Sequence, residues 1–118
     1  MKPKSILSGL SFIKEVTGKT QTYYVYEGKN DFILMTVSKS KNSCNFNVVQ
    51  KEAADYVKTK FSGRQKITAN DVVKESKKPI HIKGSLDALN ILYALCSTGT
   101  AKIDSRIKKK QLFFNIKR

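Results

Sequence analysis

The sequence predicts an α+β fold: an N-terminal antiparallel three-stranded meander, then three helices and a C-terminal β-hairpin. Three observations carry that expectation. The first third alternates strand-forming segments with turn signals, the apolar period changes from two residues to 3.6 after Val48, and the last eighteen residues return to a period of two on either side of three consecutive lysines. The chain has 118 residues, 40% hydrophobic and 27% charged, with six glycines and two prolines, which suits one ordinary core. Residues 1–47 are assigned to the meander and 48–118 to the helices and hairpin, the two forming one compact unit.

Ser11 to Val16, Thr22 to Glu27 and Asp31 to Val37 are rich in Val, Ile, Tyr and Phe. Thr17-Gly18-Lys19 and the run from Glu27 to Asp31 supply the turns between them. Tyr24 and Tyr26 share one face of the middle strand, Tyr23 and Val25 the other, so both faces are partly apolar and one packs on helices. Ser38 to Ser43 is a polar loop, and Asn45 to Val49 either adds a short fourth strand or leads straight into a helix.

Val49, Ala53, Ala54, Val57 and Phe61 then fall on one helical face, with Lys51, Glu52, Asp55, Lys58 and Lys60 on the wet side. Gly63 stops that helix. Lys66-Ile67 is short and strand-like. Thr68 is an N-cap, with Asp71 at the third helical position in a variant of the capping box, opening a short helix over residues 69–76. Lys77, Lys78 and Pro79 end it, and the residues through Lys83 are extended. Ser85 caps the third helix, Leu86 to Ser97. Leucines at 86, 89, 92 and 95, with Ala88, Ile91, Tyr93, Ala94 and Cys96, make most of its circumference apolar, so it is mostly buried. Gly99 terminates it. In the hairpin that follows, Ile103, Ile107, Leu112, Phe114 and Ile116 form an apolar face. Lys102, Asp104, Arg106, Asn115 and Lys117 face water, and Lys108 to Lys110 form the tip.

Over residues 48–118 the order is helix, short strand, helix, helix, strand, turn, strand. With KIT (Lys66 to Thr68), SLDALNILYALCSTG (Ser85 to Gly99) and the closing hairpin, this order resembles the winged helix, a variant of the helix-turn-helix. The resemblance implies a third helix that enters the major groove and a wing that reaches the phosphate backbone. Carried onto this chain, it places Ser85, Asp87 and Asn90 near the helix start, with Lys83 just before. Asn90 is the residue type that pairs with adenine, whereas no Arg is present there to read guanine and Asp87 repels phosphate.

The net charge is +14, and it is uneven: residues 1–56 hold eight bases and five acids, residues 57–118 fifteen bases and four acids. Such an imbalance favours polyanions, and nucleic acid is the leading partner class. The expected surface comprises Arg64, Lys66, Lys83, Ser85, Asn90, Lys102, Arg106, Lys108, Lys109, Lys110, Lys117 and Arg118. Lys58, Lys60, Lys77 and Lys78 extend it. The expected function is duplex DNA binding through backbone phosphates with a regulatory role. The alternative is a winged-helix module for dimerisation or protein docking through the apolar Leu86 to Cys96 segment. A third reading is RNA stacking on Tyr24, Tyr26 and Phe32.

Catalytic signatures are fragmentary, and no enzyme, metal or other cofactor is expected. Gly18-Lys19-Thr20 ends like a phosphate-binding loop, but Ile13 stands where the first glycine is needed. His81 is the only histidine, and with two distant cysteines it makes no four-ligand zinc site. Glu27-Gly28-Lys29 lies in a hairpin turn and Glu75-Ser76-Lys77 at a helix end, away from the core strands on which nuclease carboxylates gather. Cys44 and Cys96 are expected as separate thiols. No window has the roughly 18–20 apolar residues of a membrane span, and Met1 to Ile13 is too short and too interrupted for a signal peptide, so a cytoplasmic protein is expected.

Overall fold

The structure, a computed structural model, describes residues 10–18, 21–37, 43–76, 82–107, 109 and 111–118. Its first four elements are β1 (Ser11–Thr17), β2 (Thr22–Glu27), β3 (Asp31–Val37) and β4 (Cys44–Gln50), which form one antiparallel sheet in sequence order. The meander therefore has four strands, not three. β4 pairs with all of β3, from Asp31 opposite Gln50 to Val37 opposite Cys44, because an uncharged run with Phe46, Val48 and Val49 meets an open strand edge. It crosses the expected 47/48 boundary, and α1 (Lys51–Lys60) begins at the next residue.

Strand alternation gives this sheet two different faces. Val16, Val25, Phe32, Leu34 and Val49 belong to the core that includes the helices, and Ile13, next to a register shift between Phe12 and Lys14, packs against it. Tyr26 and Met35 lie on the opposite face and are also fully buried, with Phe12 edge-on to Tyr26 at 5.4 Å. Of the three aromatics named for RNA stacking, Phe32 faces the helices and Tyr26 is fully buried, which leaves Tyr24 as the one partly exposed.

α1 buries Ala53, Ala54 and Val57 and ends at the buried Phe61, as their spacing predicts. Val49, expected on the same helical face, lies instead in β4 and joins the core from the sheet. α2 (Ala69–Glu75) carries the expected capping box: Asp71 N–H donates to Thr68 Oγ1 at 3.2 Å and Thr68 N–H to Asp71 Oδ2 at 2.9 Å. α3 (Ser85–Ser97) differs at its start. Gly84, not Ser85, occupies the cap position, and the nearby Asp87 carboxylate accepts the N–H of Lys83 at 3.1 Å. α3 is the central helix, packed on α1, α2 and all four strands of the sheet. Ala88, Ile91, Leu92, Tyr93, Ala94 and Leu95 are buried, as the apolar circumference requires. The Tyr93 ring stacks on Tyr23 at 4.4 Å and meets Phe114 edge-on at 6.0 Å. Gly18 is needed here, since a Cβ at that position would lie 2.6 Å from the Tyr93 hydroxyl.

The closing hairpin is β5 (Ala101–Ile103) and β6 (Phe114–Ile116), paired Ala101 with Ile116, Lys102 with Asn115, and Ile103 with Phe114. Residues 63–67 run along the other side of β6. Ile67 and Phe114 exchange N–H···O bonds of 3.0 and 2.8 Å, Ile116 N–H donates to the Arg64 carbonyl at 2.8 Å, and Gly63 N–H to the Lys117 carbonyl at 3.3 Å. Phe114 and Ile116 are buried against the helices as expected. Asp104, expected on the wet side, is instead 5% exposed. Among the described residues no helix is long and apolar enough to cross a membrane.

Candidate nucleic-acid interface

Alternation along β6 sends Phe114 and Ile116 inward and leaves Asn115 and Lys117 on the outer face. Lys102 is the direct cross-strand partner of Asn115 and so joins that face. Arg118 follows Lys117 and lies over Gly63, where an added Cβ would be 3.1 Å from Arg118 Cγ and 3.3 Å from its Nε. Gly63 has a φ of +78°, a left-handed conformation that glycine adopts without steric cost. With Gln65, these residues line a depression of about 410 Å³. Lys102, Lys117 and Arg118 are exposed and form no ion pair among the described residues.

Lys66 stands beside this face in a strained conformation. Its φ of +58° is left-handed for a residue with a Cβ, a cost of about 1–2 kcal/mol. Its N–H donates to Asn115 Oδ1 at 2.9 Å, while Asn115 Nδ2 donates to Asp104 Oδ2 at 3.3 Å. Asn115 thereby ties the segment before α2 to the hairpin.

Both remaining arginines of the expected surface are engaged by carboxylates. Arg64 grips Glu75 with two parallel bonds of 2.9 and 3.0 Å and lies 5.4 Å from the centre of the Phe61 ring. This pairing lowers the Glu75 carboxyl pKa below its ordinary value and raises that of Arg64. Arg106 folds back on Asp104, with Nε to Oδ1 at 2.9 Å and Nη2 to Oδ2 at 2.7 Å, and its backbone N–H adds a third bond at 3.1 Å. Hydrogen bonds from Arg106 hold the Asp104 carboxyl well below the usual carboxylate range, against the opposing effect of burial. Asp104 is buried because Arg106, two residues later, can reach back around the turn; strand alternation alone does not reveal that reach.

The other expected residues are dispersed. Lys109 is exposed at the hairpin tip, and Lys108 and Lys110 lie outside the described residues, as do Lys77, Lys78 and His81. Ser85 sits with Asn70, Leu89, Gln111 and Leu112 in a groove between α2, α3 and the hairpin. Lys83 lies by a separate cleft between β4, α1 and α3, lined also by Asp87 and Asn90. Asn90 is 5% exposed, so it is an interior residue and not an outward reader of base edges. A helix apolar around most of its circumference leaves position 90 facing neighbouring elements.

Of the twelve expected residues, the structure thus brings together Lys102, Lys117 and Arg118, with Lys66 adjacent. Gln65 and Asn115 also line the depression. Parity places Asn115 on the outer face, two residues before Lys117 on a strand whose even positions are apolar, whereas nothing in the sequence points to Gln65. Glu27 and Glu75, the acids of the two Glu-x-Lys triplets, are paired with Lys51 and Arg64. Cys44 and Cys96 are unpaired thiols, and burial pushes the Cys96 thiol up to about 12. Comparison with protein-family models, curated protein sequences and solved structures gives no match in any of the three.

Proposed function

We propose that this protein binds nucleic acid without catalysis, holding duplex DNA by its backbone phosphates through the basic outer face of the small sheet. The observation that carries this reading is the convergence of Lys102, Lys117 and Arg118 around one depression, with the Gln65 and Asn115 amides beside them. Ammonium, guanidinium and amide donors are the groups that phosphate oxygens accept from, and their sequence-independent contacts fix position on a duplex. A winged-helix-like arrangement of residues 48–118 is part of the proposal. It is supported by the element order and by the pairing of Ile67 with the last strand. In this reading affinity exceeds base specificity, because Asn90 is buried and Arg64 and Arg106 are already neutralised. A cytoplasmic location and a regulatory role belong to the same reading.

Duplex binding should show a log–log salt slope of about −0.9 for each neutralised phosphate, near −3 for three contacts. Replacing Lys102 and Lys117 together by glutamate should weaken binding at least tenfold at low salt and flatten the slope by about 2. Unaltered affinity in a folded double variant would remove this face from the mechanism. Docking of a protein partner through α3 is the second reading. Leu86, 64% exposed beside the groove that holds Leu89 and Leu112, is the feature that favours it; most other apolar positions of α3 already serve the core.

A further inference from the structure

The two edge strands of the four-stranded sheet are built differently. β1 carries Lys14 and Glu15 and a register shift between Phe12 and Lys14, features that discourage another strand from pairing there. β4 has no charged residue, no proline and no register shift in Cys44–Gln50, and it exposes Phe46 (48%) and Val48 (62%) on one face. No strand among the described residues pairs with its outer side.

The hydrogen-bond phase of β4 follows from one contact. Lys51 N–H donates to the Asn30 carbonyl at 2.9 Å, continuing the register in which Gln50 opposes Asp31. Alternation then turns the N–H and C=O groups of Val49, Asn47 and Asn45 toward β3, and those of Gln50, Val48, Phe46 and Cys44 outward. We propose that β4 is a self-association edge, on which a second copy of this chain pairs antiparallel about a two-fold axis at Asn47. This register uses all seven residues. Phe46 meets the partner's Val48 and Cys44 meets the partner's Gln50, all of them residues with outward backbone groups, so about eight hydrogen bonds form across four pairs.

Side chains agree with the same register. The Phe46 and Val48 pairs of the two copies make one apolar row on the outer face, an aromatic and β-branched pairing favoured across strands. No charged residue stands in the paired strand itself, so the ladder of two chains of charge +14 sets no like charges directly opposite one another, and beside it Lys83 is accompanied by Asp87. On the helix side, a cleft of about 320 Å³ lined by Asn47, Gln50, Lys83, Asp87 and Asn90 opens beside the edge. Asn90 Oδ1 is buried there without a hydrogen-bond partner among the described residues. A two-fold contact consumes both β4 edges, so assembly closes at two copies. One strand pair falls at the small end of specific interfaces, which are about 1,200–2,000 Å² in total, so the dimer is weak and concentration-dependent.

Sedimentation equilibrium of the full chain from micromolar to millimolar concentration tests this, alongside Phe46→Lys/Val48→Lys, whose two sites are exposed enough to leave folding intact by circular dichroism. Expected are a reversible monomer–dimer equilibrium and a dissociation constant raised at least tenfold in the double variant. Register is read by mild oxidation in a Cys44→Ser background. Asn47→Cys faces its own copy at a Cα distance of about 4.5 Å and crosslinks. Asn45→Cys lies about 14 Å from its copy and does not. A chain monomeric at millimolar concentration, a double variant that dimerises as well as wild type, or equal crosslinking at 45 and 47 would overturn the proposal.

Discussion

The four-stranded sheet pairs strands of six and seven residues, whereas the hairpin pairs strands of three and completes its ladder with the irregular segment at residues 63–67. The first has long ladders of its own. The second depends on one buried aromatic, Phe114 against Tyr93, and on a polar knot of Asp104, Arg106 and Asn115. Yet the short sheet carries the converging cations. Like charges can be gathered on so small a platform because its opposite face is anchored in the common core, where burial of Phe114 and Ile116 outweighs repulsion among solvated ammonium groups.

If that contrast is right, the largest loss follows from removing the anchor. Phe114→Ala should cost about 3–5 kcal/mol in urea unfolding, and duplex affinity should fall with it although no cation has been touched. A cost below about 1 kcal/mol would show that the small sheet holds itself together.

The polar knot comes next. Asp104→Ala leaves Arg106 and Asn115 without their acceptor and should lower the melting temperature clearly, whereas the isosteric Asp104→Asn isolates the charge. Because the folded carboxyl pKa is depressed, the stabilisation from Asp104 is complete above the unfolded value near 4 and is lost as pH falls below it. Wild type should therefore lose more stability between pH 6 and pH 3 than Asp104→Asn does. Parallel losses would mean that Asp104 is not the titrating group.

Gly63→Ala is expected to be milder, about 1–2 kcal/mol from the left-handed backbone, but it should also push Arg118 off the depression and weaken duplex binding. Smallest of all, Arg64→Ala should leave the unfolding midpoint almost unchanged, since its pair with Glu75 is solvent-exposed and salt-screened.

Much of the fold was legible because it rests on local chemistry. Thr68 and Asp71 are three residues apart and cap the same helix end whatever surrounds them, and the spacing of Ala53, Ala54, Val57 and Phe61 fixes which side of α1 is buried. Of the candidate site, the charge bias and the shared outer face of Lys102, Asn115 and Lys117 were legible, through composition and strand alternation. Nothing in the spacing of Arg64 and Glu75 announces that they meet, and nothing in the alternation around Asp104 announces that Arg106 turns back to cover it. Gly84 takes the cap expected of Ser85 because an extended residue precedes α3, a matter of how the chain arrives there.

By itself, the sequence determined the types and order of the elements other than β4, the inward faces of α1, α3 and β6, and the excess of cations in the second half. These follow from periodicity and composition, which act between near neighbours. Tertiary structure decided that Cys44–Gln50 joins the sheet, that Asn90 is interior, and that Lys102, Lys117 and Arg118 converge while Arg64 and Arg106 are neutralised. Those outcomes depend on contacts between residues up to fifty-five positions apart, as Gly63 and Arg118 are. Such contacts exist only once the chain has closed on its core.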